Sequence, residues 1–311
     1  MPEDTGSFGD ALWELVGNAL TQLRPDLREA TRISLSVAVV VLLVSLLQAL
    51  SEQGKTVGEL AGSVAIGAVL LMGTNSLIRL GMETVEELSQ YGKLLLPVMT
   101  AALAAQGGVS ASAALYAGTA VFDAALNGLM ASVLAPMVYL FLALAVGSSA
   151  LGTDVLKKMR DTVKSFISWS LKLLLTVFTT YMSITGVVSG TTDAAALKAT
   201  RVTISSVVPV VGSVLSDASE AVLVSAGVMK NAAGIYGILA VLAVFLAPFL
   251  RIGVHYLVLK LTAAVCAVFG TKAMTELIGD FASAMGLLLA MTGSGCLLVL
   301  ISTVCFLKGV G

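Results

Sequence analysis

The chain has 311 residues, 57% of them hydrophobic and 12% charged, with mean hydropathy +0.97 and net charge −1. A soluble domain carries about 25% charged residues, so the composition excludes a soluble globular protein and points to an all-α polytopic membrane protein. The near-zero net charge offers nothing to attract nucleic acid; the single histidine, His255, excludes a histidine-rich metal site; and Cys266, Cys296 and Cys305 lie in apolar runs without C-x-x-C pairing, as buried thiols do.

Residues 1–32 read as an amphipathic N-terminal segment. Phe8, Leu12, Leu15, Val16, Leu20 and Leu23 recur at helical spacing with Asp10, Glu14 and Asn18 between them. That pattern suits a helix on a membrane surface or against a bundle, ending at Arg24-Pro25. The first 20 residues hold four acids and no Lys or Arg, which is not the pattern of a signal peptide. Residues 33–311 read as a single transmembrane domain. Apolar runs at Ile33–Leu50 and Val57–Ile78 come first, the second with Gly58, Gly62 and Gly67 spaced for close helix contact. Arg79–Lys93 is an amphipathic connector, with Ile78, Met82, Val85 and Leu88 on one face and Glu83, Glu86, Glu87 and Gln90 on the other.

Leu94–Phe122 lacks charge but is broken at Gln106-Gly107-Gly108, with Pro97 near its start, and so reads as two short arms. Asp123 follows, then a span over Ala124–Gly152 containing Pro136. Lys157, Lys158, Arg160, Lys164 and Lys172 form the densest basic cluster, expected at the cytoplasmic face. Further spans are expected at Ile167–Val188, Ala232–Leu250, Ile252–Thr271 and Phe281–Leu307. Lys260 stands near the middle of one of them, where a charge usually faces the bundle interior or water.

The stretch Lys198–Asn231 is the least span-like. Its apolar runs Val202–Ser216, interrupted by Pro209 and Gly212, and Ala221–Met229 are each too short to cross a bilayer, which takes about 20 apolar residues. They meet at a polar tip carrying Asp217 and Glu220. Two short arms with a polar tip suggest a re-entrant hairpin, tolerated only inside protein or beside water. The alternative is a surface loop with a helix start at Ser216 or Asp217. Pro97 and Pro136 are as far apart as Pro209 and Pro248. At the offset joining the pairs, Pro97-Val98 matches Pro209-Val210, and Leu134-Ala135-Pro136 matches Leu246-Ala247-Pro248. This predicts an internal repeat, with units over approximately 94–190 and 206–280. The expected architecture is about seven transmembrane helices plus two re-entrant helical hairpins, and paired interruptions of this kind point to a transport pathway.

There is no G-x-x-x-x-G-K-[ST] loop, G-x-G-x-x-G, H-E-x-x-H or G-x-S-x-G motif. No catalytic residue, metal site or cofactor is expected. Candidate pathway or partner-contact residues are Pro97, Gly107, Gly108, Asp123, Pro209, Gly212, Asp217, Glu220 and Lys260.

Pro209-Val210-Val211-Gly212 followed by Ser216-Asp217-Ala218 resembles the stage III sporulation protein AE family. So do Leu94–Pro97 with Gly107-Gly108, and Lys230-Asn231-Ala232-Ala233-Gly234-Ile235. The resemblance covers roughly residues 30–311. It implies a membrane subunit of the sporulation complex linking mother cell and forespore, located in the membrane around the forespore. Its implied partners are products of the same operon: a secretion-type ATPase, a platform protein and ring-forming subunits. The family begins with a signal peptide, and Met1-Pro2 looks like a start placed after one, which would put the N-terminus outside; a single span over Leu94–Phe122 would instead put it in the cytoplasm, the arrangement that the distribution of Lys and Arg prefers. Lipid is a partner by composition, and assembly with further copies of the chain is compatible with it. The rival expectations are a stand-alone secondary transporter and a structural anchor for other complex members.

Overall fold

The computed structural model describes residues 7–50, 54–105, 109–207 and 212–308. Side chains are described over 13–50, 57–105, 109–185 and 234–307, residues 22 and 111 excepted. Among these residues the protein is all helical. Its elements are α1 (Ser7–Leu50), α2 (Gly54–Ala105), α3 (Val109–Leu129), α4 (Ala135–Leu151), α5 (Asp154–Val207), α6 (Gly212–Cys266) and α7 (Lys272–Lys308). A π-helical segment, Met130–Leu134, joins α3 to α4. Among the described residues six helices are long and apolar enough to cross a membrane, with α3 and α4 counting as one.

The helices are longer than the apolar runs. At 1.5 Å per residue, the 52 residues of α2 extend about 78 Å, against a hydrocarbon layer of about 30 Å. The connector 79–93 does not break α2, because its amphipathic pattern is itself helical. Ile78, Val85 and Leu88 are buried and Glu83, Glu86 and Glu87 are exposed, as the spacing predicts. Leu94–Ala105 is therefore the end of α2, and 109–122 begins the next long helix, rather than the two forming short arms. Residues 106–108, including Gly107 and Gly108, lie outside the described residues.

The same correction applies to the central stretch. The first expected arm ends α5, and the second lies within α6, which already begins at Gly212. Ser216–Glu220 is thus helical and not the tip; the connection falls at 208–211, outside the described residues. Helix propensity explains the difference, since the run from Ala218 to Met229 holds no breaker but Gly227. The offset that places Pro97 on Pro209 carries 106–108 to 218–220, inside α6. The two halves therefore do not share helix boundaries in the predicted register.

Two further expectations change. Pro25 does not end the first helix but lies within α1. The expected spans Ala232–Leu250 and Ile252–Thr271 form one helix through Arg251, so the expected boundary at Arg251 is absent. Arg251 need not end the helix because two carboxylates of α1 meet it, as described below.

The helices alternate in direction. Contacts of Gly58 with Gln48 and of Gly73 with Ile33 set α1 antiparallel to α2. Ser63 with Ser149, Tyr139 with Asn75 and Ser89 with Asp123 set α2 antiparallel to α3 and α4. The connections after α1, α4 and α6 therefore share one end, called here the basal end, and Ser7 and Lys308 lie toward the other. Gly152 makes one of those turns with φ 64°, a left-handed conformation in which a side chain would be strained. Its N–H donates to Ser148 O, closing α4 two residues before α5 begins. Ahead of Pro136, the Ala135 N–H donates to Met130 O. The wider π turn accommodates a residue that lacks a donor and crowds the preceding turn.

The core sits around α7, which packs against α2, α3, α4, α5 and α6. Leu277, Phe281, Met285, Leu288, Met291 and Phe306 are buried along it. The expected small-residue contacts of α2 are internal, with Gly62 against Val44 and Met274 and Gly67 against Val146. Gly118 of α3 makes the tightest approach. A Cβ there would clash with Tyr181 Cε1 of α5, whose ring is fixed by its hydroxyl donating to Ala114 O (3.1 Å) and by Phe122 (5.8 Å between centroids). Gly118→Ala is expected to destabilise the chain by about 1–3 kcal/mol, the usual cost of overpacking. Adding Tyr181→Leu should recover most of that loss. Unfolding in a micelle titrated with denaturing detergent measures both, and simple additivity would count against the contact.

Candidate functional site

Three polar arrangements stand out in a bundle held together mainly by apolar packing. Hydrogen bonds and small residues matter in such bundles because lipid removes the hydrophobic drive between helices.

The first centres on Asp123 of α3, which is buried although it lies between apolar runs. Ser89 Oγ of α2 donates to Asp123 Oδ2 at 2.6 Å, and Asn127 Nδ2 donates to Asp123 O at 3.0 Å and Oδ1 at 3.3 Å. One turn earlier Thr119 Oγ1 donates to Ser302 Oγ of α7 at 3.0 Å. These residues tie α3 to α2 and α7 just before the π-helical segment. The arrangement gives a buried carboxylate the hydrogen bonds it needs. It is a polar seam between packed helices.

The second is a charged clamp at the basal end. Arg160 of α5 pairs with Asp280 of α7 and with Asp161; Lys157 Nζ lies 3.3 Å from Glu276, and Lys164 Nζ donates to Ser283 Oγ at 3.2 Å. Lys272 approaches Glu276 at 3.8 Å. Three members of the predicted basic cluster are thus turned toward α7, while Lys158 is exposed. Phe166 and Trp169 are exposed a few turns along α5, with ring centroids 6.4 Å apart. Such aromatics are favoured near a membrane interface.

The third joins α1 to α6. Arg251 Nε lies 2.9 Å from Asp26 Oδ1, and its Nη2 lies 3.7 Å from Glu29. The buried Nε makes no aligned hydrogen bond, so the contact is one of charge more than of directed bonding. His255 Nδ1 is 3.0 Å from Arg251 O. Beside the pair lies a cavity of about 280 Å³, walled by Ala19, Leu23, Pro25, Leu80, Ala247 and Pro248.

The predicted candidates do not converge. Asp123 belongs to the α2–α3 seam, and Pro97 lies within α2 toward its end. Lys260 is exposed on α6 with Nζ 6.0 Å from the Tyr256 ring centroid, so it does not face the bundle interior. Gly212 opens α6, and Asp217 and Glu220 lie in its first turns, their side chains outside the described residues. Gly107, Gly108 and Pro209 lie outside the described residues altogether. Sequence reasoning missed the Arg251–Asp26 pair and the role of Asp280. A single arginine between two uncharged runs was the available signal for the former. Among the described residues no group of three or more His, Cys, Asp or Glu could hold a metal ion.

Fold and contacts together define an all-helical protein with several membrane-length helices, braced by buried polar and charged pairs. The chain belongs to the stage III sporulation protein AE family, whose model matches residues 4–309. It is 25% identical over 222 residues to the stage III sporulation protein AE of Bacillus subtilis (strain 168), covering 70% of this chain and 55% of that protein. The chain thus spans about half the length of that curated relative. No solved structure matches it.

Proposed function

We propose that this chain is a membrane subunit of the trans-envelope channel or secretion complex linking mother cell and forespore during endospore formation. The carrying observation is family membership over nearly the whole chain, joined to a bundle whose axis is filled. Phe281, Met285, Leu288 and Met291 of α7 occupy the place where a solute path through a single chain would run. That favours a subunit that works by assembly over a stand-alone secondary transporter. A structural anchor remains the nearest alternative. On this reading the membrane is the one around the forespore, and the partners are an ATPase, a platform protein and ring subunits of the same operon. Asp217 and Glu220, near the start of α6 at the non-basal end, are proposed partner contacts.

The test is co-purification from sporulating cells. The tagged chain should bring down those products, and Asp217→Asn with Glu220→Gln should insert normally yet lose partners and spore yield. Solute uptake by the purified chain alone, with no partner recovered, would overturn the proposal.

On this reading the dense basic cluster at the basal end faces the cytoplasm, where anionic lipid attracts it, and Ser7 then lies outside. Cysteines at Ser7, Ser51 and Thr162, introduced singly without the native thiols, should react with an impermeant reagent only at Ser7. Outside reaction at Ser51 with protection at Ser7 would invert the arrangement.

A further inference from the structure

The outward face of α1 changes character abruptly. Arg24, Arg28 and Arg32 recur every fourth residue and all three are exposed. The same face then carries Leu35, Leu43, Leu46 and Leu50, exposed from 56% to 84%. The acids of this region point elsewhere. Asp26 and Glu29 meet Arg251 of α6, on the side where Ala30, Val37 and Val41 are buried. Among the described residues none of the three arginines has an ion pair. At 1.5 Å per residue the stripe rises about 12 Å along the helix, and long side chains can converge on a plane by snorkelling. Arginine followed by leucine along one lipid-exposed face marks a boundary between headgroups and hydrocarbon.

We propose that Arg24, Arg28 and Arg32 form a binding stripe for the phosphates of anionic phospholipid, at the bilayer face opposite the basal lysines. Guanidinium forks match phosphate oxygens bidentately, and the leucine run supplies the acyl-chain surface next to them. The occupant is lipid and not free phosphate because the stripe continues directly into that apolar face. The basal cluster is distinct: it lies at the other end of the bundle on α5, which packs against α3, α4, α6 and α7, whereas α1 packs against α2 and α6. The stripe also fixes the depth of the bundle. About 18 residues, or about 27 Å, separate Arg32 from Leu50, close to one hydrocarbon thickness.

The test uses the full chain with Trp13→Phe, Trp169→Phe and Leu35→Trp, so that the sole tryptophan lies one turn from Arg32. Quenching by brominated phosphatidylglycerol is compared with quenching by brominated phosphatidylcholine in mixed bilayers. Each basic residue near anionic lipid contributes about a fivefold preference. The stripe should therefore enrich phosphatidylglycerol at least about fivefold at this site. Arg→Gln at all three positions should bring the ratio near one, and Arg→Lys should keep most of it. Inorganic phosphate should compete no better than chloride at equal ionic strength. Equal quenching by the two lipids in the parent chain would overturn the proposal, even if the glutamine variant fails to fold. An unchanged ratio in a folded glutamine variant would do the same, and selective displacement by phosphate would reassign the stripe to free anions.

Discussion

Arg160→Ala is expected to destabilise the folded chain by about 3–5 kcal/mol, the cost of leaving one member of a buried ion pair without its partner. Arg160 and Asp280 are only 12% and 15% exposed at their side chains, and they join α5 to α7 at the basal end. Removing the guanidinium leaves the largely buried Asp280 carboxylate without the partner that compensates its burial. The double variant Arg160→Met with Asp280→Leu should be much less harmful, because it removes both charges and restores volume. The neighbouring contacts of Lys157 with Glu276 and of Lys164 with Ser283 are more exposed, so either change alone should cost under about 1 kcal/mol. Denaturing-detergent titration of micellar protein, followed by circular dichroism, gives all four values. A loss below about 1 kcal/mol for Arg160→Ala would mean that water reaches the pair and that the clamp braces little.

Phe281→Ala should cost about 2–3 kcal/mol. Phe281 is fully buried on the helix that five others pack against. In a bilayer the transfer part of a large-to-small change largely disappears, since lipid is as apolar as a core. The cavity part persists, at about 24 cal/mol for each Å³ left empty. Removing a phenyl group leaves a void of roughly 100 Å³ if the surroundings do not relax. The same titration measures the loss, and Phe281→Leu should recover more than half of it. A negligible effect would show that the axis of the bundle collapses readily, which would weaken the argument that α7 closes a path through the single chain.

Composition alone determined that this is an all-helical, membrane-type chain, because a sequence 57% hydrophobic and 12% charged cannot cover a soluble surface. Local pattern determined the amphipathic face of 79–93 and the close contacts of Gly62 and Gly67, since both follow from helical spacing. The P-V-V-G string with Ser216-Asp217-Ala218 carried the family resemblance. What the pattern could not determine was where the helices end. Pro25, the charged connector of α2 and Arg251 each look like a stop when only chain neighbours count. The last two are carried through because another helix meets them: the buried face of the connector packs on α7, and Asp26 and Glu29 meet Arg251. Charge pairing was equally hidden. Asp280 lies 120 residues from Arg160 and Arg251 lies 225 from Asp26, so no local spacing reports either pair. A buried charge is tolerated when an opposite charge meets it, and only the tertiary packing of α1 on α6 and of α5 on α7 decides where that happens.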